Sequence, residues 1–261
     1  MTGTSPDPIE AALRSLRVSA PADLRDRTMT ATGLADAWAV VPGPIGELIV
    51  THNPEGIRAV VPATALRDFH ATYESRTGRP LGIEAPLPHR LQQGLDKTLA
   101  TGRLGNLRVD LRGLTEFQQA VLRKTAEIPP GELRPYGWVA REIGNPGAVR
   151  AVGSALNKNP VPVIIPCHRV GKSDGSVGEY AHGAAMKRAL LSTEGGDPDA
   201  VDALAALGMR FTGTKTTRIY CHPTCRHARR SAERHRLDFR TARAATEAGY
   251  RACKVCRPAA A

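Results

Sequence analysis

Four of the five cysteines in this 261-residue chain fall in its last fifth, as Cys221-x-x-x-Cys225 and Cys253-x-x-Cys256 with 27 residues between the pairs, and the fifth, Cys167, stands alone. Two such pairs sit naturally on two tight turns, and four thiolates at these spacings suit a tetrahedral zinc with sulfur at about 2.3 Å. A segment that small depends on its metal to fold. The chain opens with Met1 to Ser5 and Pro6-Asp7-Pro8, which lack a basic start followed by an apolar run. In that context an odd cysteine count argues against a disulfide framework and for metal ligation plus one free thiol. No stretch approaches the roughly 18 uninterrupted apolar residues a membrane span needs, so the expectation is a cytoplasmic protein with no membrane partner.

The formal net charge of +11 is placed as unevenly as the cysteines. From Met209 to Ala261 there are 13 Lys and Arg against 3 acids, whereas residues 1 to 208 are nearly balanced. A basic segment of that density suits a polyanion, because each neutralised phosphate releases counterions, although a solvated basic face would read the same way. With 41% hydrophobic and 23% charged residues, the chain as a whole is ordinary globular sequence, long enough for one large or two unequal domains and unlike a disordered protein.

Hydrophobic period and turn residues divide the chain. Residues 1–36 read as an arm with one short helix, Ile9 to Val18. From Ala37, two β-branched runs separated by Asn53-Pro54-Glu55-Gly56 read as a β-hairpin. Helices at Ala65 to Ser75 and His89 to Thr101 and a strand near Leu107 to Leu111 complete an α/β unit over 37–113. Residues 114–195 are more helical, beginning with an amphipathic segment (Phe117, Ala120, Val121, Lys124, Ile128) stopped by Pro129-Pro130-Gly131. Tyr136 to Ile143 and Pro146 to Leu156 then have helix-turn-helix spacing. The second carries Ala148, Ala151, Gly153, Ser154 and Ala155 where it would face outward, which suits close entry into a groove and suits core packing equally. Residues 196–208 read as a linker with room for a helix ending by Leu207, and 209–261 as the four-cysteine zinc domain.

Val163-Ile164-Ile165 ends at Pro166 and is followed by Cys167-His168-Arg169-Val170. An imidazole and a guanidinium next in sequence would favour the thiolate, below the free-thiol pKa of about 8.5. A buried, inert cysteine at a strand end fits those residues as well. The wider segment decides between them. Pro166-Cys167-His168-Arg169-Val170, with Arg150-Ala151-Val152-Gly153 and Asn159-Pro160 upstream and Tyr180, Gly183, Lys187, Leu190-Leu191 and Glu194 downstream, resembles the O6-alkylguanine-DNA alkyltransferases from about Thr115 to Gly195.

The resemblance implies DNA repair by a single-turnover transfer in which Cys167 takes the alkyl group from guanine O6, with thymine O4 as a further candidate. It implies that His168 accepts the thiol proton through a water, Glu194 fixes the imidazole tautomer, and Tyr136 donates to guanine N3. Lys187 would support the site, and the carbonyls of Cys167 and Val170 would accept from the guanine amino group. Tyr180 and Ala181 would line the substrate pocket. Asn159 would link the recognition helix to an active-site strand, although its Asn-Pro context also suits a helix C-cap. The partner is double-stranded DNA bound by a monomer with its target base rotated out of the stack. Arg150 would fill the gap while Ala151 and Gly153 approach the minor groove. Here His182 stands where many relatives have glycine or tryptophan, and Leu122 replaces a common tryptophan.

The tail, from Lys215-Thr216-Thr217-Arg218-Ile219-Tyr220-Cys221 to Tyr250-Arg251-Ala252-Cys253-Lys254-Val255-Cys256, resembles the metal-binding domain of Ada-type adaptive-response proteins. That likeness implies zinc on Cys221, Cys225, Cys253 and Cys256, methyl transfer from a backbone phosphotriester to Cys221, and DNA contacts by Thr217 and Arg251. Together the likenesses imply an α+β protein: a small ribonuclease-H-like N-terminal unit, a helical catalytic domain containing the helix-turn-helix, and a zinc-bound C-terminal domain. Two other classes fit parts of the sequence: a non-catalytic lesion-binding protein, which the retained Cys167 argues against, and a zinc-dependent DNA-binding regulator.

Overall fold

The computed structural model describes residues 20–258 together with Ile9 and Ala12. Ile9 and Ala12 are helical, and the rest of the helix expected at Ile9 to Val18 lies outside the described residues. After helix α1 (Leu24–Ala31), a four-stranded sheet of order β3-β2-β1-β4 forms from β1 (Asp36–Gly43), β2 (Gly46–Asn53), β3 (Gly56–Pro62) and β4 (Leu81–Glu84). The expected hairpin is therefore three strands, because the first run doubles back at Pro44-Ile45, pairing Gly43 with Gly46. Central β2 is buried on both faces, which explains the unbroken Leu48-Ile49-Val50. Leu48 and Val50 join the main core, while Ile49 packs with Phe69 and Tyr73 of α2 (Leu66–Thr77).

The strand expected at Leu107 to Leu111 is only a single bridge, Val109 to Ile57. Two backbone bonds, Ile57 N–H to the Arg108 carbonyl and Asp110 N–H to the Ile57 carbonyl, hold it there. Beyond them the chain leaves the sheet because the buried Asp110 carboxylate turns to Arg58 and Asn53. Gly56 (φ +143°) is required at this crossing, since a Cβ would lie 2.4 Å from the Arg108 carbonyl oxygen.

Helix α3 occupies His89–Thr101, and α4 (Glu116–Ala126) starts at a capping box between Thr115 and Gln118. The two short helices are α5 (Tyr136–Glu142) and α6 (Val149–Asn157). On α6 Ala151 and Ser154 are exposed as expected, but Ala155 is buried, packed in the core with Val152 and Leu156. That core runs continuously from Val50 and Ile57 of the sheet to Val121, Trp138, Val152 and Cys167.

Helix α7 (Ala184–Thr193) leads into the connection, which is itself a packed helix, α8 (Pro198–Ala206), capped by Asp197 and clamped by Arg188 to Asp199 and Asp202. The C-terminal module is a second four-stranded sheet, order β10-β8-β7-β9, from β7 (Phe211–Thr214), β8 (Ile219–Cys221), β9 (Arg236–Phe239) and β10 (Arg251–Ala252). Two short helices, α9 (Arg226–Arg229) and α10 (Ala242–Glu247), complete it. No helix among the described residues is long and apolar enough to cross a membrane.

Candidate active site and metal centre

A two-stranded parallel pairing builds the thiol site. Strand β5 (Arg134–Pro135) pairs with β6 (Val170–Gly171) in the register Arg134 to Val170. It sets Tyr136, first residue of α5, beside Cys167, which lies on the 3-10 turn Cys167–Arg169 just before β6. The preceding Val163-Ile164-Ile165 is a turn rather than a strand. Pro160, Pro162 and Pro166 remove ladder donors, and Val163 sits at φ 71°, a strained setting for a β-branched residue. This loop is fixed from the sheet by the Val60 N–H donating to the Pro160 carbonyl at 2.8 Å.

Asn159 is not the helix cap, a position taken by Lys158. Its buried Nδ2 donates to the Ile165 carbonyl at 2.9 Å and to Cys167 Sγ at 3.1 Å, while its Oδ1 accepts from the Val161 N–H. Cys167 is 8% exposed and lines a cavity of about 310 Å³ with Tyr136, Gly153, Leu156, Tyr180 and Ala181. The Tyr180 hydroxyl is 4.0 Å from the sulfur. Arg150 and Ala151 stand exposed on α6, outside this cavity.

The expected cationic field on the thiol is corrected by the structure. Burial pushes the Cys167 thiol up, with the Asn159 and Tyr180 contacts and the Lys187 charge only partly opposing it. Arg169, next but one in sequence, turns away. Its guanidinium donates to both oxygens of Glu194 (2.9 and 2.6 Å) and to the carbonyls of Ile128 and Gly102. Glu194 also accepts from His168 Nε2 at 2.8 Å and from the Gly131 N–H at 2.9 Å. Burial alone would raise its pKa, but the hydrogen bonds from His168 and Arg169 hold it down at about 2. Burial lowers the His168 pKa in spite of Glu194, and His168 Nδ1 is buried with no partner among the described residues.

Lys187, 1% exposed, donates to the carbonyls of Val170 at 2.6 Å and Glu179 at 3.1 Å. Burial pushes its pKa down to about 8, which leaves it charged at neutral pH. The Val170 carbonyl expected to meet substrate is thus already engaged, and Val170 is fully buried rather than on the cavity wall. Sequence reasoning missed Arg169 as the clamp on Glu194 because the partner lies 25 residues away.

In the tail, the Sγ atoms of Cys221, Cys225, Cys253 and Cys256 all lie within 4.8 Å of one another, and none forms a disulfide. A tetrahedron with bonds of about 2.3 Å has edges of about 3.8 Å, so the four buried thiols fit a zinc ion. Cys221 and Cys253 also line a cavity of about 470 Å³ that collects Thr217, Arg230 and Arg251. The other ligand pair faces the half of the chain that carries Cys167. Trp138 Nε1 donates to the Cys256 carbonyl at 3.0 Å, and Thr224 Oγ1 accepts from the Leu133 N–H at 2.8 Å. The Arg226 N–H donates to Glu132, and Arg257 pairs with Glu142 at 2.6 Å. No spacing in the sequence announced these contacts, the first two of which join residues 118 and 91 positions apart.

A buried thiol facing a cavity and backed by an imidazole–carboxylate pair, beside a four-thiolate metal site, defines a class of group-accepting protein. Residues 116–196 match the family described as 6-O-methylguanine DNA methyltransferase, DNA binding domain, and residues 202–259 match the metal binding domain of Ada. The methylated-DNA–protein-cysteine methyltransferase of Mycobacterium tuberculosis is 40% identical over 162 residues, 60% of this chain and 91% of the relative. The regulatory protein Ada of Salmonella typhimurium is 34% identical over 161 residues, 60% of this chain and 45% of the relative. A crystal structure of a variant of the M. tuberculosis O6-methylguanine methyltransferase superposes with a TM-score of 0.50 at 31% identity, covering 61% of this chain and 92% of that one. The chain belongs to the methylated-DNA–protein-cysteine methyltransferases and carries an Ada-type zinc-binding domain.

Proposed function

We propose that the protein repairs double-stranded DNA by taking the alkyl group of O6-alkylguanine irreversibly onto Cys167. The observation that carries this reading is the pairing of a cavity-facing thiol with an imidazole whose Nε2 is bound to Glu194 and whose Nδ1 has no partner among the described residues. Glu194 accepts from Nε2, so the proton sits there and Nδ1 is left as the base. In the reaction, Nδ1 takes the thiol proton through a water as Sγ attacks the alkyl carbon. The S–C bond forms, the C–O6 bond breaks and its electron pair goes to the guanine. Tyr136, on the cavity wall, supplies a proton to the departing base at N3 and is restored from the imidazolium.

With a thiol and an imidazole both neutral beforehand, neither reacting group carries a buried charge while waiting for substrate. Lys187 stabilises the thiolate as it develops, and Asn159 donates to it. The base reaches the cavity by rotating out of the duplex. Helices α5 and α6 act as a helix-turn-helix in which Arg150 fills the gap and Ala151 and Gly153 allow close approach. The four-stranded N-terminal sheet is a ribonuclease-H-like scaffold for that site. We assign the boundaries 37–113, 114–195 and 209–261 to the three parts and expect a cytoplasmic monomer. Mass spectrometry of every cysteine after exposure to a duplex carrying one O6-methylguanine tests the reading, with one methyl group expected on Cys167 and none on protein given unmodified DNA.

A second activity is favoured by the cavity that holds Cys221 with Thr217 and Arg251. When bound, zinc keeps Cys221 deprotonated and nucleophilic. Cys221 then takes the methyl group of a phosphotriester, and the phosphate leaves as the ordinary diester anion. With zinc bound, methylation of Cys221 would remove one thiolate charge and take the formal charge of the centre from −2 to −1, which would tighten DNA binding in the surrounding basic field. The methylated protein is expected to bind duplex DNA more tightly than the unmethylated one, with a steeper salt dependence. Equal affinity and equal slope in a filter-binding titration would sink the switch.

Glu194→Gln is expected to slow transfer to Cys167 by about a hundredfold, as for loss of a general-base arrangement. It should also flatten the acid limb of stability. The Glu194 pKa is depressed by folding, so its contribution is full above the ordinary carboxylate value of 4.5 and is lost as pH falls toward about 2. Thermal unfolding from pH 6 to pH 2 in both proteins measures it, with wild type losing more than the variant.

A further inference from the structure

The two halves meet over a cavity of about 250 Å³ that neither the thiol chemistry nor the metal centre uses. One wall is α5 and the turn after β6, presenting Arg141 and Lys172. The other is the start of the zinc module, presenting Arg210 and Phe211. No acidic residue lines it among the described residues. Arg141 and Lys172 make no ion pair among the described residues, and the acids in their field are engaged elsewhere. Glu142 is held by Arg257 and Glu132 by Arg134 and the Arg226 N–H, while exposed Asp174, hydrogen-bonded to Ser176, feels the Lys172 charge without pairing with it. Arg210 donates through Nε to the Arg240 carbonyl. A half-buried guanidinium without an anion is unfavourable, and burial lowers the Arg141 pKa accordingly. Val149 on the same wall immediately precedes Arg150, so the cavity lies at the exposed beginning of α6.

We infer that this seam is a phosphate-binding cleft, in which Arg141, Lys172 and Arg210 hold the sugar–phosphate backbone of the same duplex whose base enters the Cys167 cavity. It rests on the proposed alkyl transfer from duplex DNA and adds to it a contact made jointly by both halves of the chain. Each phosphate neutralised there releases counterions and adds to the salt dependence of binding without reading sequence. Because Lys172 and Arg210 belong to different halves, the cleft exists only while the zinc module is docked. The module then extends the DNA footprint of the catalytic half instead of binding a separate site.

The test is a salt titration of full-length, zinc-loaded protein on a 20-base-pair duplex containing O6-methylguanine. It is run beside alkyl transfer from a trinucleotide carrying the same base. The R141Q/K172Q pair is expected to lower duplex affinity about tenfold near 0.1 M salt and to reduce the slope of log K against log salt by about 2. R210Q should reduce it by about 1, and R141K/K172R should restore both affinity and slope. Transfer from the trinucleotide should keep its wild-type rate in all of them. Wild-type affinity and slope in both R141Q/K172Q and R210Q would overturn the cleft. So would inorganic phosphate that binds there while leaving duplex affinity unchanged, a small-anion pocket only. Absence of transfer by wild type from both substrates would instead overturn the underlying reading.

Discussion

Replacing Cys167 with alanine is expected to abolish retention of labelled methyl groups from O6-methylguanine DNA while leaving duplex binding intact. The sulfur is the strongest nucleophile among the residues lining the cavity, and none of the four cysteines of the metal centre lines it. Cys167→Ser should be as inactive, since an alkoxide is far harder to form than a thiolate. It should fold normally, because Asn159 can donate to oxygen as it does to sulfur. The pH profile gives a sharper check. Burial raises the thiol pKa and lowers that of His168, so near neutrality both are uncharged and proton transfer accompanies attack. The rate should be level between about pH 6.5 and 8, fall as His168 becomes protonated below its ordinary range, and fall again above about 8 as Lys187 loses the charge that stabilises the thiolate. A tenfold rise per pH unit between about 7 and 9 would mean free ionisation of the thiol and would remove the role given to His168.

Removing the metal is expected to unfold the C-terminal module and to disturb the catalytic half with it. Without an ion, four buried thiols converge around nothing, and the module's apolar core is small: Phe211, Tyr220, Phe239, Ala245 and Tyr250. Structural zinc supplies on the order of 10 kcal/mol to domains of this kind, more than such a core provides. Trp138 reports the event. It is 3% exposed, donates to the Cys256 carbonyl and has the guanidinium carbons of Arg134 and Arg257 each 5.8 Å from its ring centroid. A chelator should therefore shift its fluorescence to the red, and added zinc should restore it. Unchanged emission from Trp138, measured in a Trp38→Phe background, while circular dichroism records loss of the module would mean that the halves are not coupled. Cys256→Ser should reproduce the effect of the chelator, because one missing ligand leaves the tetrahedron open.

Much of the architecture was readable from local pattern. Helix α3 spans the residues its period marked, and α4 begins at its capping box and ends before Pro129-Pro130-Gly131. The chelating pairs were visible because two cysteines separated by two or three residues on a turn have little else to do together. Local pattern failed where proline or a buried charge overruled it. Val163-Ile164-Ile165 has strand composition but too few backbone donors among its prolines to join a sheet. Leu107 to Leu111 is pulled out of register by Asp110.

The sequence by itself determined which groups exist: one lone thiol with an imidazole beside it, four clustered cysteines, and a basic tail. Tertiary structure decided what each group experiences. Arg169 serves Glu194 instead of Cys167, the thiol is raised rather than lowered in pKa, and Trp138 seals the catalytic half onto the metal module. The reason is physical: helices, turns and chelate pairs arise from neighbours a few residues apart. Desolvation and the choice of a charge's partner depend on everything packed around it, which only the folded chain assembles.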